Sequence, residues 1–306
     1  MKTTYKLTDR TALSSVQTKT IPCPKRRFSY RINFLTFYES YLRWLRHLIE
    51  RLGAQNILLL WKETFADYDD QILLSILSSG WHEEETDETI PLEAKAEDWI
   101  EKFFPTADSI FVNSEVRNII EGTPPIRQIR QLFSIKTVEK EMSAYDALHI
   151  RFDGLACLAE TLIEKYGKQG ELIVYDLITE GRLASGQGES GSVEEFIENF
   201  TAEPDMPNLF TAGLDIEVIR KTDRESIAYV RECEWARYFQ DRHPQVGYLM
   251  ACSTDEASYK AFNPNLRLQR TGTIMEGRDR CDFRIYAVTG KQQESENDVR
   301  THAIIG

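Results

Sequence analysis

The densest potential chemistry in the 306-residue sequence lies in residues 232–286. Cys233, Cys252 and Cys281, three of the five cysteines, fall there with His243, Asp255, Arg270 and Asp282. A thiolate is a strong nucleophile, a carboxylate passes protons, and a guanidinium grips an anion through paired N–H donors. These types together leave open an active site, a metal site or a core, and as an active site they would centre on cysteine. Cys252 or Cys281 would attack, Asp255 would serve as acid and base, and Arg270 would anchor a carboxylate, with Tyr248 and Thr273 beside the substrate. His243 is a second choice of base, because Pro244 follows it on a loop. The bland alternative is that each thiol is a small buried hydrophobe.

Metal is the competing use of the same thiols. Cys233, Cys252 and Cys281 would then converge on zinc or iron, with Asp255, Asp282 or His243 beside them. The sequence lacks a C-x2-C or H-x3-H pair, which supplies two ligands from one rigid turn, so no cofactor is expected.

The elements that must position these residues can be read from periodicity. Residues 247–262 form a helical window in which Tyr248, Cys252, Asp255 and Tyr259 recur at i, i+4, i+7 and i+11, on one face. A hairpin follows, turning near residues 276–279. Alternation puts Leu266, Leu268 and Arg270 on one face, with Cys281, Phe283 and Ile285, and Thr271 and Thr273 on the other. An arginine among apolar neighbours needs an anion, either an Asp of this chain or a bound carboxylate. Upstream, residues 215–219 and 226–230 are strand-like runs joined by a polar turn, and residues 235–239 make a short helix before His243-Pro244.

Three blocks of this region, Cys233-Glu234-Trp235-Ala236 through Cys252 and Asp255, Leu266-x-Leu268-x-Arg270-Thr271-x-Thr273, and Gly277-x3-Cys281-Asp282-Phe283, resemble the L-2-amino-thiazoline-4-carboxylic acid hydrolase family. The resemblance covers about residues 147–288. It implies hydrolytic opening of a small cyclic amidine that carries a carboxylate, at a C–N bond that is not a peptide bond, in small-molecule metabolism. Two rivals stay open: a non-catalytic small-molecule sensor, and a biosynthetic enzyme acting on a different small ring.

The rest of the chain reads as helical. Residues 34–52 carry an apolar stripe that ends at Gly53, in the position of a left-handed cap. Further helices are expected at 55–66, 70–77, 96–104, 128–133 and 147–166, with a strand at 109–112. Leu48-Ile49-Glu50-Arg51-Leu52-Gly53-Ala54-Gln55 and Leu162-Ile163-Glu164-Lys165-Tyr166-Gly167-Lys168-Gln169 share five of eight positions. That reads equally as a duplicated helical hairpin and as the common look of an amphipathic helix ending in glycine. His149 and Cys157 share a face of the 147–166 helix, a pair read as core and surface rather than as a site. His47 and His82 read as surface or capping residues. Residues 181–192, rich in Gly and Ser, read as a loop, and Ser192 with Glu195 as a capping box.

The expected fold class is therefore α+β, with a helical N-terminal half and C-terminal helices packed on a small antiparallel sheet. The expected division is a flexible arm over 1–25, a helical region over 26–135, a hydrolase-like domain over 136–288 and a tail over 289–306.

A net charge of −12 argues against nucleic acid and against an anionic membrane surface. No apolar run approaches the length of a membrane span, and the first twenty-odd residues hold no signal-peptide core. A cytoplasmic protein with reduced thiols is expected, its partner a small carboxylate-bearing substrate, with self-association into a homo-oligomer left open.

Overall fold

The computed structural model describes residues 19–21, 26–68, 139–186, 191–196 and 213–288. The expected elements at 70–77, 96–104, 109–112 and 128–133 lie outside the described residues, as do Cys23, His82 and the tail.

The fold is α+β, as expected. Helices α1 (Tyr30–Leu52) and α2 (Ala54–Thr64) form one hairpin, and α3 (Ala144–Tyr166) and α4 (Lys168–Gly186) form a second. Each hairpin turns on a single glycine with positive φ, Gly53 at 80° and Gly167 at 54°. Only glycine adopts such angles without steric cost. Gly53 differs from the expected left-handed cap, because its ψ of 148° is extended. The first helices of the two hairpins bury equivalent stripes, Tyr41, Trp44, Leu45 and Leu48 against Leu155, Leu158, Ala159 and Leu162. The sequence similarity thus corresponds to two junctions of similar build.

These helices share one hydrophobic core across the expected domain division. Ion pairs line its rim: Arg51 to Asp176 and His47 Nδ1 to Glu180, each 2.8 Å, tie α1 to α4, and Lys165 to Glu63, 2.6 Å, ties α3 to α2. His47 is therefore a half-buried partner of Glu180 rather than a surface residue. The start of α3 is set by Ser143, whose hydroxyl accepts from Asp146 N at 3.1 Å. Helix α4 runs on to Gly186, so half of the stretch expected as a loop is helical. The capping box forms, with Glu195 N donating to Ser192 Oγ at 3.0 Å.

A five-stranded antiparallel sheet completes the fold, from β1 (Lys19–Ile21), β4 (Leu214–Lys221), β5 (Glu225–Cys233), β6 (Leu266–Gln269) and β7 (Cys281–Ala287), in the order β1-β4-β5-β7-β6. Strands β2 (Arg26–Ser29) and β3 (Glu139–Met142) pair separately. The period-2 pattern holds, with Ile216, Val218, Ala228 and Val230 buried on one face. Strand β5 runs directly into α5 (Glu234–Arg242), which packs on α3, and α6 (Asp255–Phe262) packs on α4 and β6. No described helix is long and apolar enough to cross a membrane.

Candidate active site

Helix α3 carries His149, Asp153, Cys157 and Glu160 at i, i+4, i+8 and i+11, one stripe along a helix whose other buried residues are apolar. Asp153 lies at its centre with 3% of its side chain exposed. A carboxylate so buried must be paired, since an isolated charge in a protein interior is costly.

Its partners arrive from other elements. Asp153 Oδ1 accepts from Arg242 Nε at 2.7 Å and from the Tyr238 hydroxyl at 3.1 Å, both on α5. His243, which follows α5, places Nε2 3.1 Å from the same oxygen and Nδ1 3.0 Å from Glu160 Oε2. His149 Nδ1 stands 3.3 Å from Oδ1. On the other carboxylate oxygen, the Tyr68 hydroxyl donates to Oδ2 at 2.8 Å. Access runs inward: Glu160 and Arg242 are 32% and 26% exposed, whereas His243 behind them is 6% exposed.

The electrostatics follow from this geometry. Burial alone would push the His243 imidazolium down, but bonds to Asp153 and Glu160, with their charges, raise it to about 9. Only the imidazolium donates from both ring nitrogens, which is what two facing carboxylates demand. Burial likewise pushes the Asp153 carboxyl up, and the bond from His243, the neighbouring His149 and Arg242 outweigh it, so the group stays ionised far below the ordinary carboxylate range. Tyr238 is driven well above its ordinary value by burial and by the Asp153 charge. Two carboxylates thus face one guanidinium and one imidazolium.

Ligand atoms of Asp153, Cys157 and His243 all lie within 4.8 Å of one another, and among the described residues this is the one group with such spacing. Cys233, Cys252 and Cys281 do not form another. A divalent ion between Asp153 and His243 would meet the Arg242 guanidinium, which donates to the same carboxylate oxygen.

The residues expected from sequence gather elsewhere, where α6 meets the sheet. Arg270 finds the anion it requires in Asp255, Nη1 to Oδ2 at 2.6 Å, while Nη2 donates to the Cys252 carbonyl at 2.9 Å. Burial opposes its charge, and Asp255 more than offsets that. Cys233 is the N-cap of α5, its sulfur accepting from Ala236 N at 3.4 Å, and Cys281 Sγ accepts from Ile274 N at 3.2 Å. Burial pushes the Cys233 thiol up to about 12, and burial also raises Cys252 and Cys281, with Asp255 adding to the rise at Cys252. Thr273 is wholly buried and caps the turn Ile274–Glu276, accepting from Glu276 N at 3.2 Å. Asp282 accepts from Thr271 and Gly272.

Two expected elements differ. The 247–262 window is not one helix: Tyr248–Cys252 is a π-turn, in which Ser253 N reaches back five residues to Tyr248 O, and α6 starts afresh at Asp255. The wider turn interrupts the 3.6-residue phase of the expected stripe, and Tyr248 is 41% exposed, while Cys252, Asp255 and Tyr248 all act on the charge of Arg270. The return of β7 on β6 is a wide connection holding the Ile274–Glu276 turn rather than a tight hairpin, so β6 ends at Gln269 and Arg270 is released from the sheet to reach Asp255.

Residues 148–285 match the L-2-amino-thiazoline-4-carboxylic acid hydrolase family. This is the family that the cysteine blocks resemble, over nearly the same residues. The match takes in all of the α3 and α5 groups around Asp153 and leaves out Tyr68. No curated protein and no solved structure matches the chain.

Sequence reasoning passed over Asp153, Glu160, Tyr238, Arg242 and Tyr68, and set aside His149, Cys157 and His243. The available signal was His149-x3-Asp153-x3-Cys157, three polar or reactive groups in register on a helix whose other buried positions are Ala, Leu, Ile, Phe and Gly.

Proposed function

We propose that the family-matched part of the chain hydrolyses a C–N bond of a small cyclic amidine bearing a carboxylate, at a cysteine-centred site formed by Cys157, His243 and Asp153. The observation that carries this reading is the buried imidazolium of His243 held between Asp153 and Glu160, with the Cys157 sulfur beside it.

In its thiolate form, Cys157 attacks the amidine carbon, forming a C–S bond. The ring C–N bond then breaks, and His243 passes its proton to the departing nitrogen. Neutral His243 takes a proton from water as the water adds to the same carbon. Collapse expels the Cys157 thiolate and leaves a carbamoyl product with a free amine, so one water is consumed and the enzyme is restored. Asp153 orients the imidazole and stabilises its cation, and Arg242, 26% exposed, would be the cation that meets a substrate carboxylate.

Cys252 and Cys281 are less suited to attack, because burial holds both thiols protonated and the Cys281 sulfur already serves a backbone N–H. Turnover of 2-amino-thiazoline-4-carboxylate by the full chain tests the reading. Cys157→Ser is expected to abolish it, while Cys252→Ala and Cys281→Ala retain it. Loss in Cys252→Ala or Cys281→Ala with full turnover in Cys157→Ser would return the chemistry to the Arg270 cluster. Tight binding without turnover would make the protein a sensor, and stoichiometric zinc or iron in the purified protein would overturn the free-thiol mechanism.

A further inference from the structure

One member of the Asp153 shell comes from outside the family-matched residues. Tyr68 follows α2, in the N-terminal hairpin, 85 residues before the carboxylate that it bonds. Arg242 and Tyr238 from α5 and His243 after it bond Oδ1, and His149 Nδ1 from α3 lies 3.3 Å from it. An Asp side chain turns broadly about its last bond, so partners on one oxygen leave the plane of the carboxylate loosely set. Tyr68 fixes the other oxygen.

A chain of aromatic contacts links this phenol to the hairpin. Ring contacts run from Tyr41 to Trp61, Trp61 to Phe65 and Phe65 to Tyr68, with centroids 6.0, 5.3 and 5.6 Å apart. Tyr41 and Trp61 are buried, and Lys165 to Glu63 ties α2 to α3 near the same end. The turn that follows α2 therefore delivers a hydroxyl to the centre, its Phe65 and Tyr68 rings packed against the end of the hairpin.

We propose that Tyr68 is a positioning residue of the active centre, which sets the Asp153 carboxylate toward His243 and makes the α1–α2 hairpin part of the catalytic unit. This rests on the reading of Asp153, Cys157 and His243 as that centre. The groups facing Asp153 are His149 and Cys157 from α3, Tyr238 and Arg242 from α5, His243 after it, and Glu160 beyond the imidazole. Freed at Oδ2, the carboxylate turns and its bond to His243 weakens, so the imidazolium loses its proton more readily.

Tyr68→Phe keeps the ring and its contact with Phe65 and deletes the hydroxyl alone. Two readouts decide the matter: the titration midpoint of the His243 imidazole, followed by NMR, and the pH profile of kcat and KM on the thiazoline substrate. The expected result is a His243 midpoint lowered by about half a unit or more, with kcat down about tenfold and KM changed less than about twofold. An unmoved midpoint overturns the proposal, including the case where only thermal stability falls, because a purely structural role does not touch the imidazole. If the unmodified protein turns over no thiazoline, the hydrolase reading falls while the NMR result still decides the role of Tyr68. If turnover is normal and Tyr68→Phe changes neither readout, the role of Tyr68 falls and the hydrolase reading stands.

Discussion

His243 Nε2 stands 3.1 Å from Asp153 Oδ1, across 90 residues of sequence. The contact joins α3 to the end of α5 and neutralises a carboxylate that has almost no access to water. Stability and proton chemistry therefore meet in the same pair.

Removing the Asp153 carboxylate leaves Arg242 and His243 facing each other without their common anion. Asp153→Ala should lower unfolding free energy by about 3–5 kcal/mol, the range for breaking a buried ion pair from one side. Urea denaturation at neutral pH measures it. A loss under about 1 kcal/mol would mean that water reaches the site and takes the place of the carboxylate.

Stability should also fall on the alkaline side. The folded state raises His243 from its ordinary 6.5 to about 9. Its contribution is fully present below pH 6.5, declines above that, and is gone once pH passes the folded value. The shift corresponds to something on the order of 3 kcal/mol. Cys233, whose thiol burial raises from 9.0 to about 12, adds a loss of the same sign only above pH 9. Unfolding free energies measured from pH 6 to 9 should decline in the unmodified protein and stay nearly level in His243→Gln. Parallel curves would show that the imidazolium carries no such linkage.

The described thiols should differ in reactivity. Burial raises Cys233, Cys252 and Cys281, so they should be alkylated slowly by iodoacetamide at pH 7.5 in the folded protein, where the thiolate is the reacting form. Cys157, whose sulfur lies within 4.8 Å of a His243 ring nitrogen, should be modified first. Mass spectrometry of timed samples gives the order, and faster labelling of Cys252 or Cys281 would contradict it.

Arg270 and Asp255 should couple energetically, because Arg270 is only 10% exposed and also holds the Cys252 carbonyl. A double-mutant cycle with Arg270→Met and Asp255→Leu should give an interaction of about 2 kcal/mol. A coupling below about 0.5 kcal/mol would place the pair among solvated surface bridges.

By itself the sequence determined the class of fold, the helices α1, α2 and α3, the strands that become β4 and β5, the helix after Cys233, and a resemblance to the family whose model matches residues 148–285. These depend on local periodicity, on glycine at two junctions, and on short blocks of residues, all of which survive any later packing. It also required an anion for Arg270, which Asp255 supplies. What only the tertiary structure decided is which reactive residues meet. The π-turn at Tyr248–Cys252 shifted the phase that a regular helix would have kept, and an i→i−5 bond leaves no mark that periodicity can read. Asp153 became the centre because Tyr238 of α5 and Tyr68 after α2, each 85 positions away, and His243, 90 positions away, converge on it, and a buried charge is stabilised by whatever folding brings to it rather than by its neighbours in sequence.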